Sequence, residues 1–292
     1  MTSKRLKMTL TAYLLLLPSL VFLSLFTLYP IVRTVYNSLF HMKLGMAPRF
    51  AGLDNYRTMW NDPVFWKVMK NTFIFAIGTI PVCIALALIM AVFVNQSVWG
   101  KGFLRTIYFY PTVIPAIAAA SIWLFIYTPK YGLLSLFASK LNLPSYNWLG
   151  DPNIVLWATM VMVVWKEAGY YMIFYLAGLQ NIPKELYEAA EVDGAKPTYV
   201  FFRITFPLLM PTTLFILILS TTHGFRFVDH LPIMTKGGPD NASNLLLYYI
   251  YETAFTAWNN GMAATLSVVL IAILLFFACF QFFGLDKKIH YG

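Results

Sequence analysis

The chain has 292 residues, of which 59% are hydrophobic and 17% aromatic, and only 11% carry a charge. A soluble domain carries roughly 25% charged residues, so the composition excludes a multi-domain soluble protein and points to a polytopic membrane protein. The formal charge of +9 does not indicate nucleic acid, because the basic residues are scattered through short segments between apolar runs; retention of Lys and Arg on the cytoplasmic side, next to anionic lipid, accounts for the sign.

Taken in order, the chain opens with Lys4-Arg5-Leu6-Lys7 and an apolar run at residues 14–28. The run is too long for a signal peptide and no small-residue cleavage site follows it, so it reads as a first transmembrane helix with its basic end in the cytoplasm. A spanning helix needs about 20 mainly apolar residues. Six stretches qualify as candidates: about 11–38, 70–95, 105–128, 154–179, 208–229 and 262–284. Pro18, Pro30, Pro81, Pro111 and Pro115 fall inside the first three, which predicts bent helices around a cavity. Six spans put both ends of the chain on one side, and Lys4, Arg5, Lys7, Lys287 and Lys288 place that side in the cytoplasm. Phe50 to Trp66, mixing aromatic and charged residues, reads as a short helix at the outer interface. Lys236-Gly237-Gly238-Pro239-Asp240 reads as a flexible turn ahead of a helical stretch over residues 245–255. Cys83 and Cys279 sit in apolar runs without the spacing of a metal site or disulfide framework and read as packing residues. The domain reading is a cytoplasmic N-terminus (1–10), a six-helix transmembrane domain (11–285, with a core of about 70–284), a cytoplasmic loop (181–207) and a cytoplasmic tail (286–292).

The cytoplasmic loop is a polar island between two apolar blocks. Pro183-Lys184-Glu185-Leu186-Tyr187 starts a short helical pattern that Gly194 ends, since glycine tolerates the left-handed geometry of a helix end. A second short helix can start at Pro197, whose fixed φ suits a first turn. The run EAAEVDGAKPTYVFFRITFP resembles the coupling motif of ABC importer permeases, EAA, three residues, Gly, nine residues, Ile-x-Leu-Pro. It matches at Glu188, Ala189, Ala190, Gly194, Ile204 and Pro207 and departs at Phe206, where Leu is usual. The likeness extends through FxGLxNY at residues 50–56, GLQNIP at 178–183 and Gly237-Gly238-Pro239, the last resembling the sugar branch of the family.

The resemblance implies an all-α integral membrane fold of type I importer permeases: six transmembrane helices with a cytoplasmic coupling-helix pair. It implies no catalysis, and no GxxxxGK[ST], HExxH, CxxC or GxSxG pattern is present. No metal and no cofactor are expected of this chain, since ATP would be bound by partner subunits. The implied partners are a second permease in a heterodimer, two ATP-binding subunits, an extracytoplasmic solute-binding protein, a sugar-like substrate and the bilayer of a bacterial inner membrane. The coupling residues would be Leu186, Tyr187, Glu188, Ala189, Ala190, Asp193 and Gly194. Glu188 would anchor the helix, and Leu186, Tyr187 and Ala190 would offer an apolar face to the ATPase.

Ionisable residues within spans cost about 2.5–3.5 kcal/mol at a helix centre and face a cavity or a partner. Here they are Lys166 and Glu167 in the fourth candidate span, and His223, Arg226 and Asp229 in the fifth, with the last three along one helical row. Pairs Glu167–Arg226 and Lys166–Asp229 suggest themselves. The set reads either as an ion-pair network holding the bundle or as a polar lining for a hydrophilic substrate. In the maltose-type permeases the chain resembles, sugar is held by residues of these two helices, and the matching positions are Glu167, Tyr170, Ser220, Gly224 and Arg226. Two of them, Glu167 and Gly224, differ in type from the maltose case, so what carries over is position. Tyr170 with Glu167 and Arg226 would give a sugar both an apolar face and polar partners. Trp157, Trp165, Tyr171 and Tyr175 read as packing or lipid-facing residues. The glycerol-phosphate permeases look similar too, and Lys166 with Arg226 could meet a phosphate, which makes sn-glycerol 3-phosphate or another anionic sugar derivative the alternative substrate. A second class of reading is a proton-coupled secondary transporter working through Glu167, His223 and Asp229.

Overall fold

The computed structural model describes residues 2–96, 100–144 and 146–285. The side chains of Lys4, Arg5 and Lys7, and the whole of Lys287 and Lys288, lie outside the described set. The described residues fall into two compact units, residues 2–62 with 250–271, and residues 63–249 with 272–285.

The first unit opens with α1 (Thr2–Leu23), a π-helical turn (Ser24–Leu28) and α2 (Tyr29–Ser38). Pro30 has no N–H to give the carbonyl of Phe26, and the chain instead closes the wider bond from the Tyr29 N–H to the Ser24 carbonyl. A two-stranded antiparallel ribbon follows, β1 (Phe40–His41) with β2 (Arg49–Phe50), and then α3 (Asp54–Trp60). Asn55 is buried and donates from its amide to the carbonyls of Ser38 and Phe40, both at 2.9 Å. The interfacial helix expected up to Trp66 is therefore shorter. Phe65 and Trp66 instead belong to α4 (Pro63–Asn95), which begins seven residues before the predicted span because Pro63 suits a first helical position.

The second unit is built on α4 and α8 (Val155–Gln180), with α5 (Lys101–Val113), α6 (Ala116–Tyr127) and α7 (Leu133–Lys140) between them in the chain. Small residues let α4 approach its neighbours: Cys83, Ala87 and Ala91 are buried among Tyr171, Tyr175, Leu209 and Ile216. A second core gathers Phe75, Ala119, Met162 and Leu231. Beyond α8 come α9 (Lys184–Val192), α10 (Pro197–Val200), a π turn (Phe201–Thr205), α11 (Phe206–Leu208), α12 (Met210–Arg226) and α13 (Leu231–Met234). The last helices are α14 (Leu246–Tyr251), which a π turn (Glu252–Thr256) follows, and α15 (Asn260–Phe280).

Among the described residues, three helical runs are long and apolar enough to cross a membrane unbroken: Met8–Ser38, Pro63–Asn95 and Asn260–Gly284. Two more stretches qualify only as bent pairs. The third predicted span is α5 and α6 meeting at 99°, and the fifth is Pro197–Leu208 and Met210–Met234 meeting at 64°. The first break is far sharper than a proline kink. Ile114 precedes Pro115 and is pushed into extended geometry at ψ 130°, which ends α5 outright. α8 has the length of a span, but Lys166, Glu167, Tyr170 and Tyr171 at its middle make it less apolar than the unbroken runs. The Gly237-Gly238 turn is more firmly held than a flexible linker. Ser243 is buried and donates to the Gly238 carbonyl at 2.7 Å, Asn71 donates to the Asn241 carbonyl at 2.8 Å, and Lys67 pairs with Asp240 at 2.6 Å.

Candidate transport site

The coupling stretch and the polar residues of α8 and α12 both lie within the second unit. Gly194 has φ +66° and donates its N–H to Glu191, turning the chain out of α9. Leu186, Ala189, Ala190, Asp193, Tyr199 and Ile204 line an open groove of about 650 Å³. Leu186, Glu188, Ala189 and Asp193 are exposed and Ala190 is buried at the groove floor. Tyr187, which the sequence reading placed on this face, is not part of it: it turns inward and its hydroxyl meets Thr205 Oγ1 at 3.1 Å. The four-residue offset between Tyr187 and Glu191 carries both toward a second groove, on the other side of α9, shared with Val92 and Leu179.

Midway along α8, Glu167 faces α12. Its Oε2 lies 3.4 Å from His223 Nδ1, and the Tyr171 hydroxyl lies 3.3 Å from the same nitrogen. Tyr170 stacks on the imidazole with ring centres 5.9 Å apart. Glu167, Tyr171, Ser220, His223 and Gly224 close around a cavity of only about 10 Å³, with Thr79 and Cys83 of α4 completing the wall. That is space for about one water, so a sugar cannot sit between these helices until they separate.

Five sequence expectations change here. Arg226 is the last residue of α12, and Phe227 at ψ 97° leaves the helix, so Asp229 does not continue the row of His223 and Arg226. Glu167 pairs with His223 rather than Arg226, and Arg226 and Asp229 are both exposed. Lys166 does not meet Asp229: it is buried, and its ammonium lies 2.6 Å from the Ile114 carbonyl, 3.2 Å from that of Thr112 and 3.4 Å from that of Pro111. None of Lys166, Tyr170, Arg226 and Asp229 lines the cavity. Finally, Tyr171, given no ligand role from sequence, does line it. The signal was available, because Glu167 and Tyr171 are four apart on one helical face, as are Ser220 and Gly224. Thr79 and Cys83 show the same spacing, but nothing in the sequence says that α4 packs there. Among the described residues no group of three or more His, Cys, Asp or Glu is arranged to hold a metal.

The second unit joins apolar helices, an exposed two-helix loop and a polar cluster midway along α8, and comparison with known proteins gives the class of the chain. The family model described as "Binding-protein-dependent transport system inner membrane component" matches residues 83–289, and the chain belongs to that family. It is 35% identical over 284 residues to the sn-glycerol-3-phosphate transport system permease protein UgpA of Agrobacterium fabrum, covering 96% of each chain. It is 34% identical over 285 residues to the lactose transport system permease protein LacF of Rhizobium radiobacter, covering 94% of each. Its fold matches a chain of the crystal structure of a bacterial alginate ABC transporter in complex with an alginate pentasaccharide-bound periplasmic protein, with a TM-score of 0.80, 24% identity and 94% and 95% of the two chains covered. The fold is thus that of a type I ABC importer permease, and the chain is a transport subunit of the inner membrane.

Proposed function

We propose that this permease carries an uncharged sugar or a close carbohydrate relative into a bacterial cell, with both chain ends in the cytoplasm. A second permease, two ATP-hydrolysing subunits and an extracytoplasmic binding protein complete the transporter. ATP-driven closure of the nucleotide-binding subunits acts on the groove beside Leu186, Ala189 and Asp193, with Glu188 as its anchor, and opens the helices around Glu167.

The observation that carries the substrate reading is the make-up of the mid-membrane cavity. Its polar groups are a carboxylate, an imidazole, a phenol and two hydroxyls, from Glu167, His223, Tyr171, Ser220 and Thr79. These are donors and acceptors suited to sugar hydroxyls, and the Tyr171 ring, which lines the cavity, adds an apolar surface. An anionic substrate would meet Glu167 there, and Lys166 is engaged by backbone carbonyls. The alternative, sn-glycerol 3-phosphate, draws on the 35% identity to the glycerol-phosphate permease and on exposed Arg226. Titrating the cognate binding protein with lactose, other neutral sugars and sn-glycerol 3-phosphate separates the two. Micromolar binding of a neutral sugar with none of the phosphate supports the proposal, and the reverse preference overturns it.

A further inference from the structure

The carbonyl groups around the α5–α6 break are short of donors for a reason written in the sequence. In a continuous helix the N–H of residue 115 would bond the carbonyl of Pro111, but residue 115 is proline and has none. The extended geometry of Ile114 then moves the following N–H groups away, so that the carbonyls of Thr112 and Ile114 lose their helical partners too. Inside a bilayer there is no water to replace them.

Lys166 meets all three carbonyls with one ammonium, at 2.6, 3.2 and 3.4 Å. The ammonium sits at the C-terminal end of α5, where the helix dipole presents the equivalent of about half a negative charge, which favours a cation there. The contact is mutual, because Thr112 Oγ1 donates to the carbonyl of Lys166 at 3.0 Å. One turn further along α8, a Cβ on Gly169 would run into the Tyr108 carbonyl oxygen, so the two backbones touch there. The very next residue after Lys166 is Glu167, which faces the opposite way into the cavity with His223.

We propose that Lys166 is a positioning residue of the transport pathway: its ammonium substitutes for the missing backbone donors at the break, fixes the angle between α5 and α6, and thereby holds α8 at the rotation that presents Glu167 to the cavity. Lys166 acts through the frame and does not touch substrate. The proposal rests on the chain's role as a transport subunit and not on the identity of the solute.

The test uses the whole transporter, with its partner subunits, in membranes. Exposed Cys279 is first replaced by Ala, buried Cys83 is kept, and a reporter cysteine is placed at Ile114, which is half-buried beside the break; the labelling of each variant without that cysteine is its baseline. Labelling of that cysteine by a charged methanethiosulfonate is expected to speed up at least tenfold in Lys166→Met. Lys166→Arg, which keeps a cation and its donors, restores the parental rate within about threefold. Uptake of lactose and of sn-glycerol 3-phosphate should fall and recover in the same order, with kcat reduced and KM little changed. Equal labelling in Lys166→Met and the parent overturns the proposal, and so does a rise in KM without a change in labelling, which would make Lys166 a substrate contact. If Lys166→Met fails to accumulate, Lys166→Gln is read by the same two criteria. Failure of the parent to take up either probe counts against the substrate reading alone, because the labelling result does not depend on it.

Discussion

The coupling stretch and the mid-membrane cluster differ in how their chemistry is stored. The loop from Lys184 to Leu208 works with local geometry: a nine-residue helix, a left-handed glycine and a second helix started by proline. Its exposed residues are set by their neighbours in the chain. The mid-membrane cluster works with long-range geometry. Glu167 meets a histidine 56 residues away, and Lys166 meets carbonyls more than 50 residues earlier. The first kind of site survives in any context that leaves the turn intact, whereas the second depends on how three helices pack. The loop can therefore be spelled out by a motif, and the cluster cannot.

This contrast can be broken experimentally, beginning with the packing that the cluster requires. Gly169→Val places side-chain atoms against the Tyr108 carbonyl, a backbone atom that cannot rotate away. Overpacking costs about 1–3 kcal/mol, with a clash on backbone at the upper end, and the detergent-solubilised complex should melt at a visibly lower temperature or fail to assemble; an unchanged melting curve would show that α5 and α8 do not touch there. Next in size is Gly194→Pro. Proline holds φ near −65° and cannot adopt the +66° of this turn, so substrate uptake should fall by roughly tenfold or more while the protein stays in the membrane and ATP hydrolysis by the complex continues. Glu188→Lys should uncouple in the same way. Parental uptake in both variants would remove the coupling role from this loop.

Glu167→Gln keeps the shape of the cluster and removes its charge. A hydrogen bond to a charged group contributes about 1.5–3 kcal/mol against about 1 for a neutral one, so a loss of roughly threefold to tenfold in kcat/KM is expected. Combined with His223→Asn, the losses should be less than additive, and strict additivity would mean that the two side chains do not act together. The smallest effect belongs to Gln281→Leu. Its amide donates to Thr221 Oγ1 at 2.7 Å in a buried site, and such bonds between membrane helices average about 0.6 kcal/mol. A shift in melting temperature of a degree or two, with uptake unchanged, is the expected result.

How much was legible in the sequence follows the same division. The local geometry of the loop from Lys184 to Leu208 could be read almost residue by residue, because a helix start, a φ-positive glycine and a proline are properties of single residues. Even so, its orientation was not fully readable. Tyr187 turns inward to Thr205, a choice made by tertiary packing that spacing within α9 does not reveal. The apolar spans were legible from length and hydropathy, and the prolines announced bends but not their size. A 99° break depends on which neighbouring group takes over the freed carbonyls, and that group, Lys166, lies in another helix. In the cluster, residues on one helical face were visible, but the partner across the gap was not. The helical row from His223 to Asp229 failed because the chain leaves the helix after Arg226, at a residue with no helix-breaking side chain.

Lys166 and Glu167 are adjacent in sequence but have separate tasks, one against α5 and one in the cavity. A substitution at 167 therefore changes the lining of the cavity while leaving the contacts that residues 166 and 169 make with α5. For protein engineering this marks Glu167, Ser220 and His223 as the positions to randomise when a new cargo is wanted, and Lys166 and Gly169 as the ones to leave fixed.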